Sequence, residues 1–285
     1  MTTQFVTAIY TGLEGTRFNG NAGAIFQRYK DSLKSIADGG YNIVCYTSAA
    51  HIEELTEHFK DNPNLKLVVE ELSENYYHED IERVKDLDER YTTETAWRSR
   101  CVEIMWGKFY WLWKNASALE KDDHLFWIDA GIFHGGLVSN RYRSEDSKNY
   151  FDFDLITQKR DLHADLAKYT GDKILNIKSV SVNHGSDDYC KVYVDRPQYG
   201  VIGGIFGGKR DDLIHYLGEA VANMQLVLDH DILLKEEEIM YALNRRHPER
   251  YTDFQFNSWY HEEWPNMYNP DSSISFSDFF KVLHG

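Results

Sequence analysis

Residues 124–131 read HLFWIDAG, an apolar run that stops on a carboxylate, Asp129, and then reaches a glycine, Gly131. Consecutive apolar residues without alternation have the pattern of a strand covered on both faces, and such strands belong to parallel sheets flanked by helices. Toward the N-terminus the same kind of run recurs as LKLVV (65–69), NIVCYT (42–47) and FVTAIY (5–10), with helical patterns at about 22–37 and in IEELTEHFK (52–60). Short apolar strands alternating with helices predict a single α/β domain, a mixed and mostly parallel sheet with helices on both faces. The acidic stretch from about Ser73 to Tyr91 reads as a surface helix. A longer helix, capped at Thr93 or Thr95, runs to about Asn115–Lys121.

Beyond Asp129 the pattern changes. Ser139–Phe153 is polar and without a period, a loop, and a helix is expected at about Leu162–Lys168. Three closely spaced strand candidates follow, KILNIKSVSV (173–182), YCKVYV (189–194) and YGVIGGIFGG (199–208). Their spacing predicts an antiparallel addition to the sheet. Two helices are expected between Arg210 and His247, and from Tyr251 the tail reads as aromatic and irregular. No repeat, low-complexity linker or composition break divides residues 1–285.

Composition narrows the function classes. With 31 basic against 46 acidic residues the formal charge is −15, which disfavours a nucleic-acid backbone or an anionic membrane as partner. No apolar stretch approaches the roughly 18 residues of a membrane span, so any membrane contact would be peripheral. The opening MTTQFVTAIYTG lacks a basic region followed by a long apolar run, and reads as a strand instead of a signal peptide. Cys45, Cys101 and Cys190 form no framework, which fits a reducing, cytoplasmic setting. Aromatic residues make up 14%, and flat rings suit sugar and base faces as well as cores.

In an open α/β sheet, ligands bind outside the carboxyl ends of the strands. Asp129 stands at such an end, where a carboxylate suits Mn²⁺ or Mg²⁺ carrying diphosphate oxygens, or caps the following turn. In VIGGIFGGKRDD (201–212) four glycines surround Ile205 and Phe206, which permits close approach of a ligand or a sharp turn. Neither the dinucleotide fingerprint nor the phosphate loop is present. Glu236, Glu237 and Glu238 are consecutive on a helix, so at most one or two face a pocket. The ordinary reading is a solvated helix start whose acids suit the dipole. His261 is a metal ligand or a packed histidine. Trp106, Phe109, Tyr110 and Trp113 form one helical stripe, read as core. Arg98, Arg100 and Lys108 on the same helix reach phosphate or pair with the acidic surface.

TAIYTG, FWIDAG, GGIFGG and KEEEIM, in this order, resemble the nucleotide-sugar glycosyltransferases of the GT-A type, and in particular the bacterial HtrL/YibB-like family, over about residues 5–250. The resemblance implies one GT-A-like domain with a nucleotide-donor half (about 1–135) and an acceptor half (about 136–285). It implies metal-dependent transfer of a hexose from a nucleotide-sugar, a UDP-sugar first among them, to a glycan or other hydroxyl acceptor. Thr7, Ala8, Tyr10 and Thr11 would hold base and ribose, with Tyr10 as a stacking ring, and Arg98 and Lys108 would assist donor binding. The DxD position falls on Asp129, Ala130 and Gly131, so the first acid alone is present, and His261 is the candidate for the missing metal ligand. Gly203, Gly204, Phe206 and Gly207 would line the acceptor and sugar pocket. Glu237 matches the carboxylate beside the anomeric carbon, with Glu236 next to it. A carboxylate on the leaving-group side retains configuration and a base on the acceptor inverts it, and both stay open. The alternatives are a non-catalytic carbohydrate-binding or scaffold protein of the same fold, and a metal-dependent phosphoesterase.

Overall fold

The computed structural model describes residues 2–11, 22–80, 82–84, 99–131, 170–179, 201–230, 234 and 236–256. Its strands are β1 (Thr3–Ile9), β2 (Asn42–Thr47), β3 (Leu65–Val69), β4 (His124–Ile128), β5 (Ile174–Ser179), β6 (Val201–Lys209) and β7 (Tyr251–Phe256). The helices are α1 (Ala22–Ala37), α2 (Ile52–His58), α3 (Ser99–Ala116), α4 (Arg210–Asp229) and α5 (Glu236–Arg246). The strands form a seven-stranded sheet of order β3-β2-β1-β4-β6-β5-β7. β6 runs antiparallel to β4 and β5, and the other four pairings are parallel. The mixed, mostly parallel sheet read from the apolar runs is therefore present.

Successive residues of the central strands point to opposite faces, and the core divides accordingly. Val6, Trp127 and Phe206 pack with Trp106, Phe109 and Trp111 of α3 and with residues of α4 and α5. Phe5, Phe126, Ile128 and Ile205 pack on the other face with Phe26, Leu33 and Ile36 of α1 and with Leu55 of α2. Helices thus cover both faces. α3 buries Val102, Trp106, Phe109, Leu112 and Ala116, a helical stripe. Trp113, expected within that stripe, is 51% exposed, because the buried line passes through Leu112 instead. No helix of the described residues is long and apolar enough to cross a membrane.

Two expectations fail locally. In place of one helix from Ser73, two 3-10 turns form, Leu72–Glu74 and Tyr76–Asp80. Glu71 and Glu74 make a reciprocal capping box and Asn75 Oδ1 accepts the Tyr77 amide, so side chains divert the backbone from a continuous helix. Residues 82–84 are helical. The start of the tail is also not irregular: β7 pairs in parallel register with β5, from Ile174 opposite Tyr251 to Ser179 opposite Phe256. The expected loop at Ser139–Phe153, the helix at Leu162–Lys168, the strand YCKVYV and the caps Thr93 and Thr95 lie outside the described residues.

The sheet order has one consequence for function. β2 lies on one side of β1 and β4 on the other, so the winding reverses there, and in open α/β sheets such a reversal is where a binding crevice forms outside the carboxyl ends of the strands. Asp129 follows β4 at this point.

Candidate functional site

Trp127 and Asp129 lie two residues apart at the end of an extended segment, so both side chains project toward α3. The Trp127 indole N–H donates to Asp129 Oδ1 at 2.6 Å. Lys108 of α3 approaches the same oxygen at 3.1 Å, with its ammonium 5.7 Å from the Trp127 ring centroid. The carboxylate of Asp129 is fixed from two sides yet keeps 35% of its side chain exposed.

Opposite Asp129, β6 departs from its neighbour. The β5/β6 register shifts between Asn176 and Ile177, with Asn176 opposite Phe206 and Ile177 opposite Ile202. Residues 203–205 are left without partners on β5, and such irregularities re-aim polar groups beside sites. Gly204 O, on the β4 edge, extends that ladder by accepting the Asp129 amide at 2.8 Å, and on the freed edge Gly203 O accepts Lys108 Nζ at 3.1 Å. The Gly203 amide donates to Glu237 Oε1 at 2.8 Å. Lys108 Nζ completes its set on Glu236 Oε1 at 2.7 Å.

Asp129, Glu236, Glu237, Gly203, Gly204 and Lys108 are thus brought together. The acids at the start of α5 are not a solvated face: Glu236 is 2% exposed and Glu238 is buried, while Glu237 is partly exposed. Burial pulls the Lys108 ammonium toward losing its proton, but Asp129, Glu236 and Glu237 together reverse this and hold its pKa above the usual lysine range. Lys108 thus serves more than one carboxylate, and Glu236 Oε2 is buried without a hydrogen-bond partner among the described residues.

Other expected residues serve the fold. The Tyr10 ring stacks on Trp111, with centroids 5.5 Å apart, and its hydroxyl donates to Glu70 O at 2.7 Å, so it offers no face to a base. Thr7 lies mid-strand, wholly buried, and Ala8 is partly buried against the α3-side core. Thr11 is held at the crevice by His51, whose Nε2 meets Thr11 O at 3.1 Å; a carbonyl only accepts, so Nε2 carries the proton. Ala130 is buried on the α1 face. Gly131 faces Tyr29 of α1, whose ring occupies the place a Cβ would need, so this glycine accommodates a side chain instead of a ligand. Phe206 packs on Phe109 and Tyr216 in the core, not in a sugar pocket.

The glycines of β6 likewise have internal reasons. Gly207 has φ +152°, and a Cβ there would overlap the backbone of Leu125 and Phe126 across the β4 ladder. At Gly203 a Cβ would lie 2.8 Å from Glu236 Oε1. Arg98 and His261 lie outside the described residues, as does the side chain of Arg100. Sequence reasoning missed Trp127 as the orienting donor, although its i, i+2 spacing from Asp129 is the relevant signal. It also missed Tyr29, for which no local signal exists.

Among the described residues no three or more His, Cys, Asp or Glu side chains group to hold a metal ion. The described donors fit an Mg²⁺-like or Mn²⁺-like ion differently. Such ions commonly take one or two carboxylates plus substrate phosphates, and Asp129 offers one oriented carboxylate in a negatively charged setting.

No family model matches the chain and no curated protein matches it, so membership of the HtrL/YibB-like family is not shown. Similar solved structures include mouse xyloside xylosyltransferase 1, at TM-score 0.47 and 10% identity, covering 99% of this chain and 93% of that one. A 4-diphosphocytidyl-2C-methyl-D-erythritol synthase from Anaerococcus prevotii aligns at TM-score 0.42 and 9% identity, over 92% and 93% of the two chains. A nucleotidyl transferase from Methanothermobacter aligns at 0.41 and 9%, over 99% and 96%.

Proposed function

We propose that this chain is a metal-dependent glycosyltransferase that moves a hexose from a nucleotide-sugar, a UDP-sugar first among them, to a hydroxyl of a glycan or glycoconjugate. The observation that carries the reading is the meeting of Asp129 with Glu236 and Glu237 at the crevice where the winding of the sheet reverses. Residues 1–135 supply the donor side and residues 136–285 the acceptor side.

Charge supports the metal requirement. The Asp129 carboxylate repels a bare diphosphate, and a divalent ion on Asp129 cancels that repulsion. When bound, the ion would supply Lewis-acid stabilisation of the departing diphosphate. Asp129 orients toward that group, its Oδ1 fixed by Trp127 and Lys108. Glu237, held by the Gly203 amide and partly exposed, is the carboxylate that meets the sugar. In the transfer the bond from the anomeric carbon to the diphosphate oxygen breaks with its electron pair passing to the diphosphate. The acceptor oxygen bonds to that carbon and passes its proton to the Glu237 carboxylate in an inverting course or to the departing diphosphate oxygen in a retaining one. Glu236, buried on Lys108, supports this arrangement without touching substrate.

A thermal-shift screen of UDP-, GDP- and CMP-sugars with and without Mn²⁺ tests the reading, since ligands of the native state raise its apparent stability. A shift that needs both Mn²⁺ and one nucleotide class supports it, and no shift with any donor removes it.

A further inference from the structure

An ammonium group has three N–H donors and no acceptor. At Lys108 three acceptors on three different elements lie within reach: Glu236 Oε1 at 2.7 Å, Gly203 O at 3.1 Å and Asp129 Oδ1 at 3.1 Å. The side chain is 8% exposed. Two of its donors are committed to Glu236 and Gly203, and Asp129 faces it as an ion pair, so its charge is spent within the cluster instead of on the direct donor contact expected from the sequence. What it does instead follows from its partners. Asp129 marks the diphosphate side of the crevice. Gly203 and Glu236 mark the sugar side, and the Gly203 peptide passes the constraint on, taking Lys108 on its carbonyl while its amide holds Glu237 Oε1 at 2.8 Å.

We propose that Lys108 is a positioning residue that sets the Glu237 carboxylate against the Asp129 carboxylate through the Gly203 peptide. The assignment rests on the glycosyltransferase reading of this crevice. Two details separate it from simple charge neutralisation. Lys108 reaches a neutral carbonyl as well as two acids. Asp129 also keeps a second donor, Trp127 Nε1 at 2.6 Å, so loss of Lys108 leaves the donor-side carboxylate held while the Gly203 peptide, whose amide holds Glu237, loses the lysine on its carbonyl.

The test uses the full chain with Mn²⁺ and the best UDP-sugar. Lys108→Met strands the buried Glu236 and can fail to fold, so Lys108→Met/Glu236→Leu, which removes both charges at similar volume, is made alongside it. The double variant is expected to melt near the parent, to bind UDP with Mn²⁺ within threefold of the parent by calorimetry, to keep its donor KM within threefold, and to lose at least a hundredfold in kcat. A kcat within threefold of the parent overturns the proposal, since neutralisation alone would then suffice. A tenfold weaker UDP affinity with kcat preserved also overturns it, since Lys108 would then be a phosphate ligand. If the parent transfers no sugar, the function reading fails separately, and amide exchange decides for Lys108. Gly203 exchange at least tenfold faster in the double variant, with β1 amides unchanged, supports the positioning role, and unchanged Gly203 exchange overturns it.

Discussion

The Lys108 ammonium lies 2.7 Å from Glu236 Oε1, with side chains 8% and 3% exposed, and this ion pair joins α3 to the first turn of α5 across the end of β6. Breaking a buried pair by removing one partner costs about 3–5 kcal/mol, because the survivor remains in a medium that solvates it poorly. Glu236→Leu should therefore lower the urea unfolding free energy by about 3 kcal/mol, the lower end because Asp129 remains beside the lysine. The double replacement Lys108→Met/Glu236→Leu should recover most of that loss. Equal destabilisation in both variants would show that the pair is not coupled.

The glycines make opposite predictions. Gly203→Ala places a methyl 2.8 Å from Glu236 Oε1 and 3.2 Å from Glu237 Cγ, so α5 must shift, at a cost of about 1–3 kcal/mol. Gly218 lies on the exposed side of α4 with nothing within 4 Å of a new Cβ. Gly218→Ala should stabilise the chain by about 0.5–1 kcal/mol by restricting the unfolded state and favouring helix. Chemical denaturation of the two variants gives both signs, and a stabilised Gly203→Ala would mean that α5 docks less tightly than described.

Stability should also fall in mild acid. Burial, with the charge of Lys209, holds the His124 pKa below its ordinary 6.5, against the opposing pull of Gly171 O and Asp123. The folded chain keeps this imidazole neutral where the unfolded chain is protonated, so below about pH 6.5 the unfolded state binds more protons and stability drops. His124→Leu should flatten the dependence. Urea midpoints at pH 7.5 and 5.5 should converge more closely in the variant than in the parent, and identical slopes would remove His124 as a cause.

The parts of this fold that are written locally could be read from the sequence. Unbroken apolar runs marked β1 to β4, and their order placed Asp129 at a strand end facing a crevice. Glu236 and Glu237 were identified by motif, but the burial of Glu236 was not, because it depends on Lys108, a partner 128 residues away on another element. Tyr10 misled for the same reason: an aromatic at a strand end looks available until Trp111 stacks on it. The glycines of β6 did mark close approach, but the approaching groups are Glu236 at Gly203 and the β4 backbone at Gly207. β7 escaped because its residues alternate weakly and their pairing with β5 spans the length from Ile174 to Tyr251.

On the proposed function, Asp129 carries a metal-bound nucleotide diphosphate at the reversal of the sheet. Calorimetric titration of UDP into the parent and into Asp129→Asn, each with and without Mn²⁺, tests it most directly. The exchange is isosteric and the side chain is partly exposed, so the fold should persist, which the melting temperature checks. Mn²⁺-dependent binding is expected in the parent, weakened at least thirtyfold in Asp129→Asn, about 2 kcal/mol. Binding of equal strength in the two proteins, or binding in the parent that ignores Mn²⁺, would contradict it.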